Sequence, residues 1–154
     1  MVVDHIKNGD ILALVINIVD LKEQDIKHIE DVAKKEGYNL INRLVTEYDS
    51  GENKFDREGE KLIGFVMDDM IVALCGLNIE PTNIQYGRIR RLYVLPAYRN
   101  QGIGTELVNH LIEYARHYYK GVVVNIGNLA VNYFYESIGF NSVDNPSFTH
   151  LRLL

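Results

Sequence analysis

The sequence predicts a mixed α/β domain in which helices flank one sheet, and three observations lead to that fold class. Short apolar runs rich in β-branched residues alternate with longer segments whose apolar residues recur every three or four positions. Two of the short runs are separated by only two acidic residues, which is typical of an antiparallel hairpin. A strand, a long helix and a further strand then follow in order, which is typical of a right-handed parallel crossover. The sheet is therefore expected to contain both kinds of pairing.

Length and composition indicate one globular domain that spans residues 1–154. The chain is 47% hydrophobic and 24% charged, which suits a single buried core. Cys75 is the only cysteine and the first ten residues lack a signal-peptide pattern, so we expect a cytoplasmic protein. A net charge of −5 and the lack of a membrane-length apolar run argue against nucleic-acid and membrane partners.

The first half of the chain predicts a strand, two helices and a loop. Residues 11–19 are a β-like run that is expected to be buried. The apolar spacing between Asp20 and Lys35 predicts a helix with one apolar face, and a second helix is predicted from Asn39 to Tyr48. The polar residues 49–60 that follow are expected to form a loop.

The second half predicts the rest of the sheet. Two β-like runs between Lys61 and Ile79 turn at Asp68 and Asp69, and a third run extends from about Gln85 to Val94. After these come a strand at 122–126, a helix from Asn128 to Ile138 and one or two terminal strands. Between the third run and the 122–126 strand lies a long helix with an apolar stripe of Ile103, Leu107, Val108, Leu111, Ile112 and Ala115.

The most informative segment is Arg99-Asn100-Gln101-Gly102-Ile103-Gly104, between a strand and the long helix. Glycines let several backbone N–H groups point the same way and the helix N-terminus adds partial positive charge, which together suit a pyrophosphate. Arg99 adds a full charge at the rim. A dinucleotide fingerprint would need glycine at Leu107, and a nucleotide-hydrolase loop would need Lys after Gly104. Helix-capping glycines that bind nothing are the alternative.

The surroundings of this loop resemble the GNAT superfamily of N-acetyltransferases. In that superfamily a strand ends in valine near a proline, an arginine-glycine loop opens a helix, and an asparagine leads a later helix that bears tyrosine-glutamate. The resemblance is strong over residues 86–140 and rests on element order alone over 11–85. The matching positions are Val94, Pro96, Arg99, Gly102, Gly104, Asn128, Tyr135, Glu136, Gly139 and Phe140.

The resemblance implies an acetyl-CoA site. In the family the glycine loop holds the CoA pyrophosphate through backbone N–H groups, while the preceding strand bonds the pantetheine arm as an added strand would. For the arm to enter, that strand and the parallel strand at 122–126 must splay apart and leave backbone groups unpaired. The implied cofactor-binding residues are Leu92, Tyr93, Val94, Arg99, Asn100, Gln101, Gly102, Ile103, Gly104, Thr105, Asn128, Tyr135 and Val131, which stands where the family often has alanine.

The implied reaction is direct attack of a primary amine on the thioester. Tyr135 is implied as the acid that protonates the departing thiolate, with an ordinary tyrosine pKa of about 10; aromatic packing is the alternative role. Many relatives place a glutamate base where this chain has Arg90. Glu80 or His150, acting through water, is a substitute base, and each also fits a structural role.

The acceptor side offers a second hypothesis. Arg88 and Arg90 are two positions apart, so their side chains lie on the same face of the strand. The resemblance implies that this face lines the acceptor cleft. Two guanidinium groups there suit a small amine that carries a carboxylate or phosphate. A solvated edge, or an internal ion pair with acids of residues 55–60, is the equally weighted alternative.

Other functions and ligands are weighed against this expectation. A CoA-binding regulatory module without turnover, a domain that binds no cofactor, and a protein N-acetyltransferase are the alternatives, and homodimers are common in the resembling family. No metal is expected, because His110 and His117 lie about two helical turns apart and no other His or Cys pair has ligand spacing. Cys75 is expected to be a small buried hydrophobe.

Overall fold

The computed structural model describes residues 2–7 and 11–154. Met1 and residues 8–10, part of the opening segment judged to lack a signal peptide, lie outside the described residues. The strands in the described part are β1 (Val2–Lys7), β2 (Ile11–Asn17), β3 (Lys61–Met67), β4 (Met70–Ile79), β5 (Tyr86–Val94), β6 (Gly121–Val124), β7 (Asn141–Ser142) and β8 (His150–Leu153). The helices there are α1 (Lys27–Lys35), α2 (Leu40–Ser50), α3 (Ile103–Ala115) and α4 (Leu129–Ser137).

The strands form one mixed sheet in the order β1-β2-β3-β4-β5-β6-β8-β7. The pairing of β5 with β6 is parallel, as the crossover predicted, and the other neighbouring pairs are antiparallel. The fold class predicted from the sequence is thus confirmed. The hairpin between β3 and β4 is also confirmed, and Asp68 and Asp69 both adopt positive φ angles, of 50° and 63°, as a tight hairpin turn requires.

Two features at the N-terminal end differ from the prediction. The helix expected from Asp20 to Lys35 is wrong in its first turn, because a 3₁₀ turn at Leu21–Glu23 precedes α1. Leu21 and Ile26 are both buried. On one continuous α-helix these two residues, five positions apart, would point about 140° apart and could not both face the core. The strand β1 was not predicted at all.

The two faces of the sheet are covered by different helices. The apolar stripe of α3 is buried against the sheet, as predicted. A Cβ added to Gly87 would lie 2.9 Å from the ring of Tyr119, just beyond α3, so Gly87 faces the α3 side. A Cβ added to Gly76, which is paired with Arg90, would instead lie 2.3 Å from the ring of Phe55, just beyond α2. Arg90 therefore faces away from α3, towards the face that α1 and α2 cover.

Candidate active site

An opening in the sheet lies between β5 and β6. The parallel register joins Tyr86 to Gly121 and ends at Arg88 and Val123, whereas β5 continues to Val94. Beyond Arg88 this edge of β5 has no strand partner in the described part of the chain, so its backbone groups face the gap. The splay expected for a pantetheine arm is present, and Leu92, Tyr93 and Val94 lie along it.

The glycine loop lies at the end of this gap and caps α3. Asn100 and Gly102 have left-handed φ angles of 61° and 83°, and Gly102 is the N-cap of α3 without any side-chain cap. The first N–H groups of a helix have no intrahelical partner. A Cβ added to Gly102 would meet nothing within 4 Å, so open space borders the N-cap of α3. Ile103 is buried, and the rest of the loop from Asn100 to Thr105 is partly or fully exposed.

The side chain of Arg99 is occupied. Its Nη1 and Nη2 donate to the two carboxylate oxygens of Glu36 at 2.9 and 2.7 Å, and its Nε donates to the carbonyl of Val94 at 2.9 Å. The hydroxyl of Tyr93 donates to the same carboxylate. These hydrogen bonds, from Arg99 first and then from Tyr93, lower the pKa of Glu36. The full charge that Arg99 was expected to add at the rim of the loop is thus balanced by Glu36 at the end of α1.

The N-terminus of α4 follows β6, the strand that borders the gap. Asn128 is its N-cap, and the side-chain oxygen of Asn128 accepts a hydrogen bond from the N–H of Val131 at 3.0 Å. The side chain of Val131 is partly exposed. A Cβ added to Gly104 would lie 3.3 Å from the ring of Phe134, so Gly104 allows α4 to approach α3 closely.

Tyr135 is buried in the last turns of α4. Its side chain is 5% exposed, and its ring makes edge contacts with Phe134 and Phe140 at centroid distances of 5.0 and 5.2 Å. Burial, with a smaller contribution from the Cys75 thiol, raises the pKa of Tyr135 well above its ordinary value. The expectation of an ordinary pKa is therefore wrong, because the ring leaves water on folding.

The two proposed bases are both enclosed. Glu80 is fully buried, and it pairs with Arg88 at 2.5 Å and accepts from the hydroxyl of Thr82. Burial alone would raise the pKa of Glu80, but the hydrogen bonds from Arg88 and Thr82 outweigh it and lower that pKa. His150 is 3% exposed, and its ring nitrogens lie 2.9 Å from the Thr149 hydroxyl and 3.3 Å from the Glu136 carboxylate. Both side chains are therefore buried and held by partners within the protein.

Three arginines of β5 lie close together but have different partners. Arg88 is paired with Glu80 and also donates to the carbonyl of Ser147 at 2.6 Å. Arg91 is paired with Glu47 of α2 at 3.0 Å. Arg90, between them, makes no hydrogen bond or ion pair within the described residues, and its Nε is buried without a partner. The alternative in which these arginines form internal ion pairs therefore holds for Arg88. Its partner is Glu80, and not one of the acids of residues 55–60.

A bulge in β5 lies at the centre of this cluster. The register pairs Gly76 with Arg90 and Leu74 with Tyr93, so two residues of β5 oppose Cys75 alone. Arg91, one of those two, has a left-handed φ of 60°. Such a residue leaves the ladder of backbone hydrogen bonds, so the bulge directs a backbone N–H away from β4.

Sequence reasoning did not identify Glu36, Glu47 or Arg91 as part of this region. Glu36 and Glu47 belong to predicted helix surfaces, where acids are usually solvated, and only the docking of α1 and α2 on the sheet pairs them with arginines. The left-handed residue after Arg90 carries no local sequence signal, since arginine seldom adopts positive φ.

Residues 43–140 match the model of the Acetyltransferase (GNAT) family. The chain belongs to the GNAT acetyltransferase family. The matched range contains the glycine loop, the splayed part of β5 and the whole of α4. The family named from the sequence is confirmed, and acyl transfer is its reaction class. No curated protein matches the chain.

Solved structures show the same fold. A candidate acetyltransferase from Exiguobacterium sp. 255-15 is 24% identical, with a TM-score of 0.83 over 92% of this chain and 93% of that one. A GNAT-family acetyltransferase from Staphylococcus aureus Mu50 is 18% identical, with a TM-score of 0.72 over 92% and 99%. A third, from Elizabethkingia anophelis with acetyl-CoA bound, is 18% identical, with a TM-score of 0.63 over 92% and 98%.

Among the described residues, no helix combines the length and apolarity that a bilayer crossing requires. Within the same residues, no group of three or more His, Cys, Asp or Glu side chains has an arrangement that could hold a metal ion.

Proposed function

We propose that this chain is a single acetyl-CoA-dependent N-acetyltransferase domain that transfers an acetyl group to the primary amine of a small molecule. The observation that carries the proposal is the splay of β5 from β6, which ends at an uncapped α3 N-terminus. A binding cleft of this kind needs both unpaired strand groups for an amide-bearing arm and N–H groups for a pyrophosphate.

The residues present fit acetyl-CoA, which supplies the acetyl thioester when bound. Backbone groups of Leu92, Tyr93 and Val94 would bind the pantetheine arm, with Asn128 and Val131 across the gap. The backbone N–H groups from Gly102 to Thr105 would bind the pyrophosphate, because the first N–H groups of α3 have no intrahelical partner and no side chain caps them. Arg99 contributes through the shape of the loop, since Glu36 and the Val94 carbonyl occupy its guanidinium.

The chemistry requires two groups of this chain to act on the reacting atoms. A backbone N–H at the β5 bulge would donate to the carbonyl oxygen on which negative charge develops. Tyr135 would donate a hydrogen bond to the departing sulfur, and its raised pKa keeps the hydroxyl protonated at neutral pH. As the amine nitrogen bonds to the acetyl carbon, the carbon–sulfur bond breaks. The nitrogen loses a proton to water, the sulfur takes the Tyr135 proton, and water returns a proton to Tyr135.

Proton removal from the amine is proposed to run to water. Arg88 and Thr82 occupy the Glu80 carboxylate, and Thr149 and Glu136 occupy the His150 ring, so we assign neither of them as the base. The acceptor is proposed to carry a carboxylate or a phosphate, because the arginine cluster of β5 would supply the positive charge that binds it. The cluster faces α1 and α2, away from α3.

Two measurements test this function. Thermal melting with acetyl-CoA at 100 times its Kd should raise the midpoint by roughly 5 °C or more, whereas NAD and ATP should not. A thiol-release assay over a panel of small amines should then give turnover. A melting shift without any release would indicate a CoA-binding module, and release only with peptide amines would indicate a protein acetyltransferase. The absence of a shift would overturn the acetyl-CoA site.

A further inference from the structure

The arginine cluster of β5 has one uncompensated positive charge. Three guanidinium groups, those of Arg88, Arg90 and Arg91, face two carboxylates, those of Glu80 and Glu47. Each carboxylate is committed to one arginine, at 2.5 Å for Glu80 and at 3.0 Å for Glu47. Arg43 also approaches Glu47, at 3.7 Å, but its side chain is 54% exposed and water screens its charge.

Arg90 is the member of the cluster without a partner in the described part of the chain. Its side chain is partly buried on the face that α1 and α2 cover. The Nε atoms of Arg90 and Arg91 are both buried without an acceptor, but Arg91 still pairs with Glu47 through Nη2. Burial, followed by repulsion from Arg88 and Arg91, lowers the pKa of Arg90, and the weaker attraction of Glu47 and Glu80 does not offset that lowering. A guanidinium held in such a place costs free energy unless an anion completes it.

We propose that Arg90 binds the carboxylate of the acceptor amine, so that the substrates are small amino acids or similar amines with one acidic group. This inference rests on the proposed acetyl transfer and narrows its acceptor. A planar carboxylate fits the fork of a guanidinium with two parallel hydrogen bonds. The cluster has one more positive than negative charge, and a carboxylate carries the single negative charge that balances it. A phosphate carries nearly two negative charges, so a carboxylate is favoured.

The position of Arg90 also limits the size of the acceptor. Arg90 immediately precedes Arg91 in the bulge, where the proposed oxyanion-stabilising N–H lies. The amine of the acceptor must reach the thioester beside that N–H while its carboxylate is bound by Arg90. A short separation between amine and acid is therefore expected, as in α-, β- and γ-amino acids.

The test compares matched acceptors in the wild-type enzyme. Glycine, β-alanine and γ-aminobutyrate are each assayed beside the corresponding carboxamide, which keeps the amine and removes the charge, and phosphoethanolamine is assayed beside ethanolamine. We expect at least one acid to exceed its carboxamide in kcat/KM by roughly 10- to 100-fold. Equal rates for every acid and its carboxamide, or a preference for phosphoethanolamine over all three acids, would overturn the assignment.

A variant pair assigns the effect to Arg90. In Arg90→Met, kcat/KM for the preferred acid should fall roughly 10- to 100-fold, while that for its carboxamide and the KM for acetyl-CoA stay within about threefold. Arg43→Met, which removes a nearby exposed charge, should change none of these. An equal loss for acid and carboxamide in folded Arg90→Met would contradict carboxylate recognition.

Binding separates this inference from the proposed function. Calorimetry with CoA present measures the affinity of each acid for the wild type and for Arg90→Met without any turnover. If no amine is acetylated but the wild type binds an acid that the variant does not bind, the transfer proposal fails and the Arg90 site stands. If amines are acetylated and neither protein distinguishes acids from carboxamides, the transfer stands and the Arg90 site fails.

Discussion

Arg99 and Glu36 form a two-hydrogen-bond ion pair that joins the glycine loop to the end of α1, 63 residues earlier in the chain. The same guanidinium holds the carbonyl of Val94, at the end of the splayed strand. The ion pair thus fixes the glycine loop, which is proposed to hold the pyrophosphate, to α1. Helix α1 covers the face of the sheet away from α3.

Replacement of Glu36 by Gln should destabilise the protein by about 1 kcal/mol at neutral pH, because the pair is only partly exposed and bidentate. The folded pKa of Glu36 is lowered below 4.5, so its contribution is present above that pH and is lost as the pH falls through the folded pKa. Urea unfolding should therefore show a difference between wild type and variant at pH 7 that shrinks near pH 3.

The exposed Glu52→Gln variant is the matched control for that measurement, and it should unfold as the wild type does at both pH values. A Glu36→Gln difference that is unchanged at the lower pH would contradict the assignment of the pair. Acetyl-CoA affinity should also weaken several-fold in Glu36→Gln but not in Glu52→Gln, because only the first change removes the ion pair that holds the glycine loop.

Gly102→Ala should weaken acetyl-CoA binding by at least tenfold. The added methyl group would occupy open space beside the N-cap of α3, where the pyrophosphate is proposed to bind. Gly51→Ala is the control, because Gly51 has nearly the same φ, 82° against 83°, and equally open surroundings at the end of α2. Both variants should lose about 1 kcal/mol of stability through left-handed strain. Equal acetyl-CoA affinities by calorimetry would exclude the loop as the binding site.

Tyr135→Phe should keep acetyl-CoA affinity and lower kcat by roughly 100-fold, because the departing sulfur loses its hydrogen-bond donor. Since burial raises the pKa of Tyr135, the wild-type kcat should show no decline from tyrosine ionisation up to about pH 10. Tyr133→Phe, on the same helix with a side chain that is 74% exposed, should leave kcat unchanged. A kcat equal to that of the wild type in Tyr135→Phe would rule out the proton-donor role.

Glu80→Gln separates a structural role from a catalytic one. Breaking its buried pair with Arg88 should cost about 3 kcal/mol of stability. The pKa of Glu80 is lowered on folding, so this stability is present above the ordinary carboxyl pKa and lost in acid. The variant should therefore melt at a lower temperature, while kcat at a temperature where it is fully folded should stay within a few-fold of wild type. A large loss of kcat with unchanged melting would instead support Glu80 as the base.

Much of the fold was predictable because local patterns specify it. The stripe from Ile103 to Ala115 repeats with the helical period, and the paired acids at Asp68 and Asp69 suit a tight turn. The split between Leu21 and α1 was not predictable, because an apolar spacing compatible with one helix is equally compatible with two short turns. The family itself was predictable because its loop and α4 motifs are contiguous in sequence.

By itself, the sequence determined the mixed sheet, the glycine loop, the position of Tyr135 and the family, since each depends on residues that are close in the chain. The tertiary structure decided which charged groups are neutralised. Arg88, Arg90 and Arg91 look alike in sequence, yet Glu80 and Glu47 pair with the outer two and leave Arg90 without a partner in the described part of the chain. Ion pairs between distant residues depend on how helices dock on the sheet, and no local pattern carries that information.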